Sequence, residues 1–390
     1  MASLDGGPRK RRKTDDELLE SFHDSFLCQN PSFADAIYRF KDITTGLGAF
    51  TIGSCNAADP DNGCSFNKAV CTIKPTQRVY AFANFFVDAF KMLKNFVTKK
   101  EIPSDSEMKM FLLCLIRFLV NTENQEGLSQ AEDCTNDTEL AVLLTFHLFT
   151  RLSASPRFIV DDQKPAQPKA CPCRRRHGQV TYGDTSIGNP VVWHGCLDLI
   201  MEGSNVSVDM LDQDSEASSN RESGRTVTQR MLDMTDNSMG SGLVQLAAKT
   251  IVQSFYYRQV YPERENSLIP GVGVSSTGLV FYFYDSVHDV LLGSSRFPLA
   301  AFSPFEINFT AVIALWMVLN HKYLCNGLSS VDIEKVPKAG FVTAARNKLH
   351  IYRAELRQGG VNFRLFTANS LDPLSFVNSK FILSDVLKDV

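Results

Sequence analysis

Val191-Val192-Trp193-His194-Gly195-Cys196-Leu197-Asp198-Leu199-Ile200, followed by Val206-Ser207-Val208-Asp209, is the stretch on which the fold turns. An apolar strand carries one acid, Asp198, into its middle. The chain then turns and enters a second short apolar strand that ends at another acid, Asp209. Carboxylates on neighbouring strands supply the oxygen ligands that a hard divalent cation takes.

Outward from this pair the pattern predicts further strands at Gln179–Tyr182, Leu279–Tyr284 and Val290–Leu292, the last two around an Asp285-Ser286 turn. Helices are expected over Leu243–Tyr257 and Phe305–Tyr323. The resulting order of helix, three strands, helix, two strands and helix is that of an α/β protein, a central mixed sheet flanked by helices. Residues 15–136 read as an N-terminal helical region. Within it Val79, Phe82, Phe86, Phe90, Leu93 and Val97 share one face of a helix over Thr76–Lys100. Ser104-Asp105-Ser106-Glu107 has capping-box spacing. Residues 43–75, rich in Gly, Asn, Asp and Cys, look irregular. Four prolines between 153 and 172 suggest a linker or a long surface crossing, and residues 210–241, poor in apolar side chains, a mobile insertion. The expected organisation is a basic tail (1–14), the helical region (15–136), an α/β core (137–325) and a C-terminal extension (326–390) with a hairpin near Gly359-Gly360.

Composition narrows the class. With 44% hydrophobic and 21% charged residues the chain can bury a sizeable core. The apolar runs Met110–Val120 and Phe309–Leu319 are too short to cross a membrane, which takes about 20 residues. The formal charge is -3; setting aside the five cations of Arg9-Lys10-Arg11-Arg12-Lys13 leaves -8 for the rest. A body this acidic is a poor sequence-blind binder of phosphate backbones, so any nucleic-acid contact has to be local, in a groove. The basic tail has the make-up of a nuclear import signal, and also of a plain solvated tail, so a nuclear or cytoplasmic location is expected. Ten cysteines at irregular spacing, without a secretory leader, read as reduced thiols.

The acids and the element order resemble the PD-(D/E)XK, or restriction-endonuclease-like, superfamily over residues 137–323. The resemblance implies a helix, a three-stranded meander, a further helix and a returning strand. Asp198, preceded by Gly195, matches the acid of the second core strand. Asp209 is the candidate second acid, and Glu139, on the preceding helix, a candidate third. A catalytic Mg2+ or Mn2+ is the implied cofactor. The third strand departs from the family. If Ser207 takes the acid position, Asp209 falls where a Lys belongs; if Asp209 is the acid, that position is Leu211. On the next helix Gln245, Lys249 and Gln253 are four apart and form one polar stripe. Lys249 can therefore replace the missing cation, and Gln253 with Tyr257 fits a Gln-x-x-x-Tyr spacing that contacts nucleic acid in one nuclease branch. Gln245 and His194 are further substrate candidates. The implied function is a nuclease-related, nucleic-acid-processing or nucleic-acid-binding protein with weakened or lost hydrolysis. The alternative is a non-enzymatic scaffold that binds proteins through its helical region.

Other motifs carry less. Cys171-Pro172-Cys173-Arg174-Arg175-Arg176-His177 offers three zinc ligands without a recognisable fourth, against a basic loop with ordinary thiols. Gly271-Val272-Gly273-Val274 lacks the Lys and helix start of a phosphate loop. Arg346, Lys348, His350, Arg353, Arg357 and Arg364 are either a phosphate-tracking strand or a solvated edge.

Overall fold

The structure is a computed structural model, and it describes residues 14–59, 63–173, 178–204, 206–211, 241–275, 278–299 and 307–361. The basic tail, Arg174–His177, residues 212–240 of the expected insertion, Phe305 and Arg364 lie outside them. Among the described residues no helix is long and apolar enough to cross a membrane.

One mixed sheet carries the fold. Its strands, in chain order, are β1 (Leu47–Cys55), β3 (Cys71–Tyr80), β4 (Phe158–Asp161), β5 (Tyr182–Gly183), β8 (Leu199–Met201), β9 (Val206–Met210), β10 (Leu268–Val274), β11 (Gly278–Asp285), β12 (Val290–Ser294) and β13 (Phe297–Pro298). They lie in the order β3-β1-β12-β11-β10-β9-β8-β4-β5, with β13 beside β11. A smaller sheet pairs β14 (Arg357–Gln358), β6 (Ser186–Gly188), β7 (Trp193–Cys196) and β2 (Cys64–Ser65) in that order. The α/β expectation therefore holds.

Successive strand residues point to opposite faces, so the large sheet divides two apolar cores. Phe281 and Phe283 join the first core, while Val280, Tyr282 and Tyr284 join the second. Against the first lie α1 (Val87–Lys99), α2 (Ser106–Val120), α3 (Asp137–Leu144) and α5 (Phe309–Leu319). Against the second lie α4 (Ser241–Val260), the small sheet and α6 (Leu349–Ala354). Helix α4 is buried on most of its circumference because it is covered from both sides, which explains its weak amphipathic signal.

Several expectations change. Asp198 is not in the middle of a strand. The stretch from Val191 splits between sheets, β7 in the small one and β8 in the large one, with Leu197 and Asp198 at the joint. Gly195, in β7 just before the joint, has a φ of +145°, a conformation that favours glycine, and a Cβ there would press on Phe66. The "irregular" residues 43–75 hold β1 and the first half of β3, hidden because the pairing shifts register at Gly48/Phe50 and Ile52/Cys55. Pro75 is tolerated because β3 is an edge strand. Val79 accordingly sits in a strand, and the helix begins only at Val87. Because β1 pairs with β12, the sheet runs across the expected 136/137 boundary. The C-terminal hairpin is replaced by a turn at Arg346–Lys348, helix α6 and the short β14, so the basic residues do not alternate along a strand.

The glycines of Gly271-Val272-Gly273 prove to be packing residues. They lie in β10 under α4, where an added Cβ would collide with Thr250 Oγ1 at Gly271 and press on Leu246 and Leu211 at Gly273. Only glycine lets α4 approach this closely. Gly271→Ala is expected to destabilise the fold by about 1–3 kcal/mol through overpacking. Gly53→Ala, where neighbours stand at 3.8 Å, should be near neutral. Urea unfolding of the two variants tests this.

Candidate functional site

The site begins as a row of acids across three strands. In the antiparallel register Val160 opposes Leu199 and Leu199 opposes Val208. One step along, Asp161, Asp198 and Asp209 are therefore neighbours on β4, the β8 entrance and β9, on one face of the sheet. The backbone stitches them together. The Asp161 amide donates to the Asp198 carbonyl at 3.1 Å, the Asp198 amide to Asp209 Oδ1 at 3.1 Å, and the Met210 amide to Asp198 Oδ2 at 2.7 Å.

Carboxylates opposed in this way repel unless cations are supplied. Two lysines supply them. Lys249 Nζ, from α4, donates to Asp209 Oδ1 at 2.6 Å, with both side chains nearly sealed at 9% and 3% exposure. Lys164 Nζ, from the loop after β4, meets Asp198 Oδ1 at 2.7 Å and is 25% exposed. Burial alone pushes the Asp198 carboxyl up, but the ammoniums of Lys249 and Lys164 outweigh it and hold Asp198 below the ordinary carboxylate value. Burial, with the neighbouring Asp198 charge added, pushes Asp209 above that value despite Lys249. The two acids thus titrate as a pair in which Asp198 loses its proton first. Burial also raises Asp161. Burial works against the Lys249 charge, yet Asp209 and Asp198 hold it protonated beyond the ordinary lysine value. Burial likewise opposes Lys164, and Asp198 more than offsets it.

The lysines form the inner wall of a cleft of about 680 Å³ between the two sheets. Asp161, Gln163, Gln245, His194, Cys196 and Asn67 also line it. His194 Nδ1 lies 2.9 Å from the Val192 carbonyl, so in the neutral ring Nδ1 donates there and Nε2 is the acceptor. Among the described residues Asp209 Oδ2 is buried without a hydrogen-bond partner. Three carboxylates, one with an unsatisfied buried oxygen, match the donor chemistry of a hard divalent cation.

The structure brings Asp198, Asp209 and Lys249 together, with Gln245 and His194 on the cleft wall. It places three other candidates elsewhere. Glu139 is half-buried, away from the cleft, and its carboxylate accepts from the Thr135 amide at 2.9 Å and the Thr135 hydroxyl at 2.8 Å. It completes the N-cap of α3, whose capping side chain is Asn136. Gln253 is buried and accepts a 2.6 Å hydrogen bond from Ser207 Oγ. Tyr257 is buried beside it and hydrogen-bonded to it. The stripe on α4 is thus a polar seam matched to β9, Lys249 on Asp209 and Gln253 on Ser207; Gln245 and Lys249 reach the cleft and Gln253 does not.

Asp161 and Lys164 are the residues that sequence reasoning missed. The signal was present in Phe158-Ile159-Val160-Asp161-Asp162-Gln163-Lys164, an apolar run ending in an acid with a lysine three residues on. The prolines nearby drew the whole segment into a linker or surface crossing, without a strand. Compared with models of known families, with curated proteins and with solved structures, the chain matches none.

Removing Lys249 strands two buried carboxylates. Lys249→Met is expected to cost about 3–5 kcal/mol, with part of the loss recovered in Lys249→Met/Asp209→Asn, as read by urea unfolding. The sign of the pH dependence follows from Asp198. Its folded value lies below the unfolded one, so its contribution is complete above about pH 4 and is lost as the pH falls through the folded value. Asp198→Asn should flatten that acid limb in Tm measured against pH.

Proposed function

We propose that the cleft is a nuclease-type site on a PD-(D/E)XK-like core, which binds a phosphodiester backbone and retains metal-dependent hydrolysis in weakened form. The carrying observation is the cross-strand pair Asp198 and Asp209 with Lys249 reaching it from the following helix. The connectivity supports the same reading. Helix α3 precedes the antiparallel meander β4-β8-β9, helix α4 follows, and β10 returns parallel to β9. That is the order the resemblance implies.

Asp198 and Asp209, with Asp161 beside them, would hold Mg2+ or Mn2+. When bound, such an ion lowers the pKa of a coordinated water and offsets phosphate charge. The protein's own groups do the rest. Lys249 fixes the Asp209 carboxylate and keeps a positive charge at the cleft floor. Lys164, on a loop and partly exposed, releases an Asp198 oxygen when it swings away, and its ammonium is then available to a phosphate oxygen. His194 Nε2 and the Gln245 amide are polar groups on the wall, suited to orienting a backbone. Hydrolysis is weakened because the family's strand-borne Lys is replaced by Leu211, and because both ammoniums already lie on the acids a cation needs. The same closed ion pairs favour a second reading, a non-catalytic scaffold that keeps the fold. Nuclear import through the basic tail and protein contacts through the helical region belong to either reading.

Mg2+ or Mn2+ should raise the Tm of the wild type and leave Asp198→Ala unmoved. In Mn2+, labelled DNA or RNA should be cut slowly by the wild type, with the rate falling about 100-fold in Asp198→Ala. Tm shifts without cutting would favour the scaffold. Equal behaviour of the two proteins in both assays would overturn the site.

A further inference from the structure

On the far side of the large sheet, away from the acid cleft, two thiols and an imidazole cluster in the apolar core. His147, Cys171 and Cys173 are all buried, and their ligand atoms lie within 4.8 Å of one another. His147 Nε2 is 3.1 Å from Cys173 Sγ. Around a tetrahedral zinc ion, ligand atoms stand about 3.6 Å apart, given Zn–S near 2.3 Å and Zn–N near 2.1 Å. The three groups are thus already near the spacing that one zinc ion imposes.

The local backbone aims them. His147 rides on the π-helical turn Thr145–Phe149 after α3, a distortion that recurs at ligand-binding positions. Gly127 lies flat against its ring, where any side chain would collide with the imidazole. Cys171-Pro172-Cys173 returns from the proline-rich crossing to meet it. Structural zinc takes four ligands, and Cys134, half-buried in the loop just before α3, neighbours the cluster; its Sγ lies outside the 4.8 Å group and would have to move in to complete the set. Burial pushes the Cys171 thiol up to about 12 and Cys134 to about 11, so neither is a nucleophile as it stands. A bound cation reverses that preference by taking the thiolates as ligands.

We propose that Cys134, His147, Cys171 and Cys173 form a structural zinc site that ties the crossing between β4 and β5 to the helix preceding β4. The crossing carries Lys164, so the zinc would fix the base of the loop that closes the acid cleft. His177, the ligand that the sequence suggested, lies outside the described residues, and His147 takes its place. The proposal does not depend on the nuclease reading.

Elemental analysis of the full-length protein, purified under reducing conditions, should find one zinc per chain, retained in Asp198→Ala. Replacing zinc with Co2+ should give the intense visible bands of a tetrahedral site and a near-ultraviolet thiolate charge-transfer band. Cys134→Ser should weaken zinc binding by about tenfold or more, as judged by competition with a chelator, while Cys28→Ser leaves it unchanged. The wild-type cobalt spectrum stands even where a ligand variant fails to fold. Folded wild type with neither stoichiometric zinc nor a thiolate–cobalt band would overturn the site. Unchanged affinity in Cys134→Ser would overturn the four-ligand set.

Discussion

Two carboxylates facing each other across β8 and β9 are the constraint around which this protein is arranged. Left alone, Asp198 and Asp209 would repel in a nearly dry environment, where unlike charges are needed to make burial tolerable. The chain answers with an ammonium from each side, Lys249 from α4 and Lys164 from the loop after β4. Much else follows. Helix α4 has to come close enough for Lys249 to reach, which requires Gly271 and Gly273 beneath it. The chain also leaves the small sheet and enters the large one just before Asp198, with Gly195 at a positive φ in the strand before it.

The acids are buried and largely neutralised, and the groups presented to the cleft are mostly ammonium, amide and imidazole, with the Asp161 carboxylate among them. On the proposed reading a phosphate backbone would meet Lys164 and Lys249 there, and a cation would have to compete with Lys164 for Asp198 and with Lys249 for Asp209, so hydrolysis would be weak.

The sequence made some of this legible and concealed the rest for identifiable reasons. Asp198, Asp209 and Lys249 were readable because period-2 strands and a period-3.6 helix place residues on definite faces. Gln253 and Tyr257 carried the same periodic signal, but the period does not say which end of a stripe is covered, and theirs is buried, with Gln253 turned onto Ser207 of β9. Strands β1 and β3 were hidden by register shifts that blur alternation. Asp161 and Lys164 were hidden because prolines that shape a crossing also resemble those of a linker. The zinc ligands were half visible: the Cys-x-Cys was plain, while His147 and Cys134 come from one end and the other of a helix that only the fold brings alongside.

The most direct test of the central claim is an anomalous difference map from crystals soaked in Mn2+. The account predicts a manganese peak shared by the carboxylates of Asp198 and Asp209, with Lys164 displaced from Asp198 and Lys249 still in place. A map without a peak there, with Lys164 still seated on Asp198 at saturating Mn2+, would contradict it.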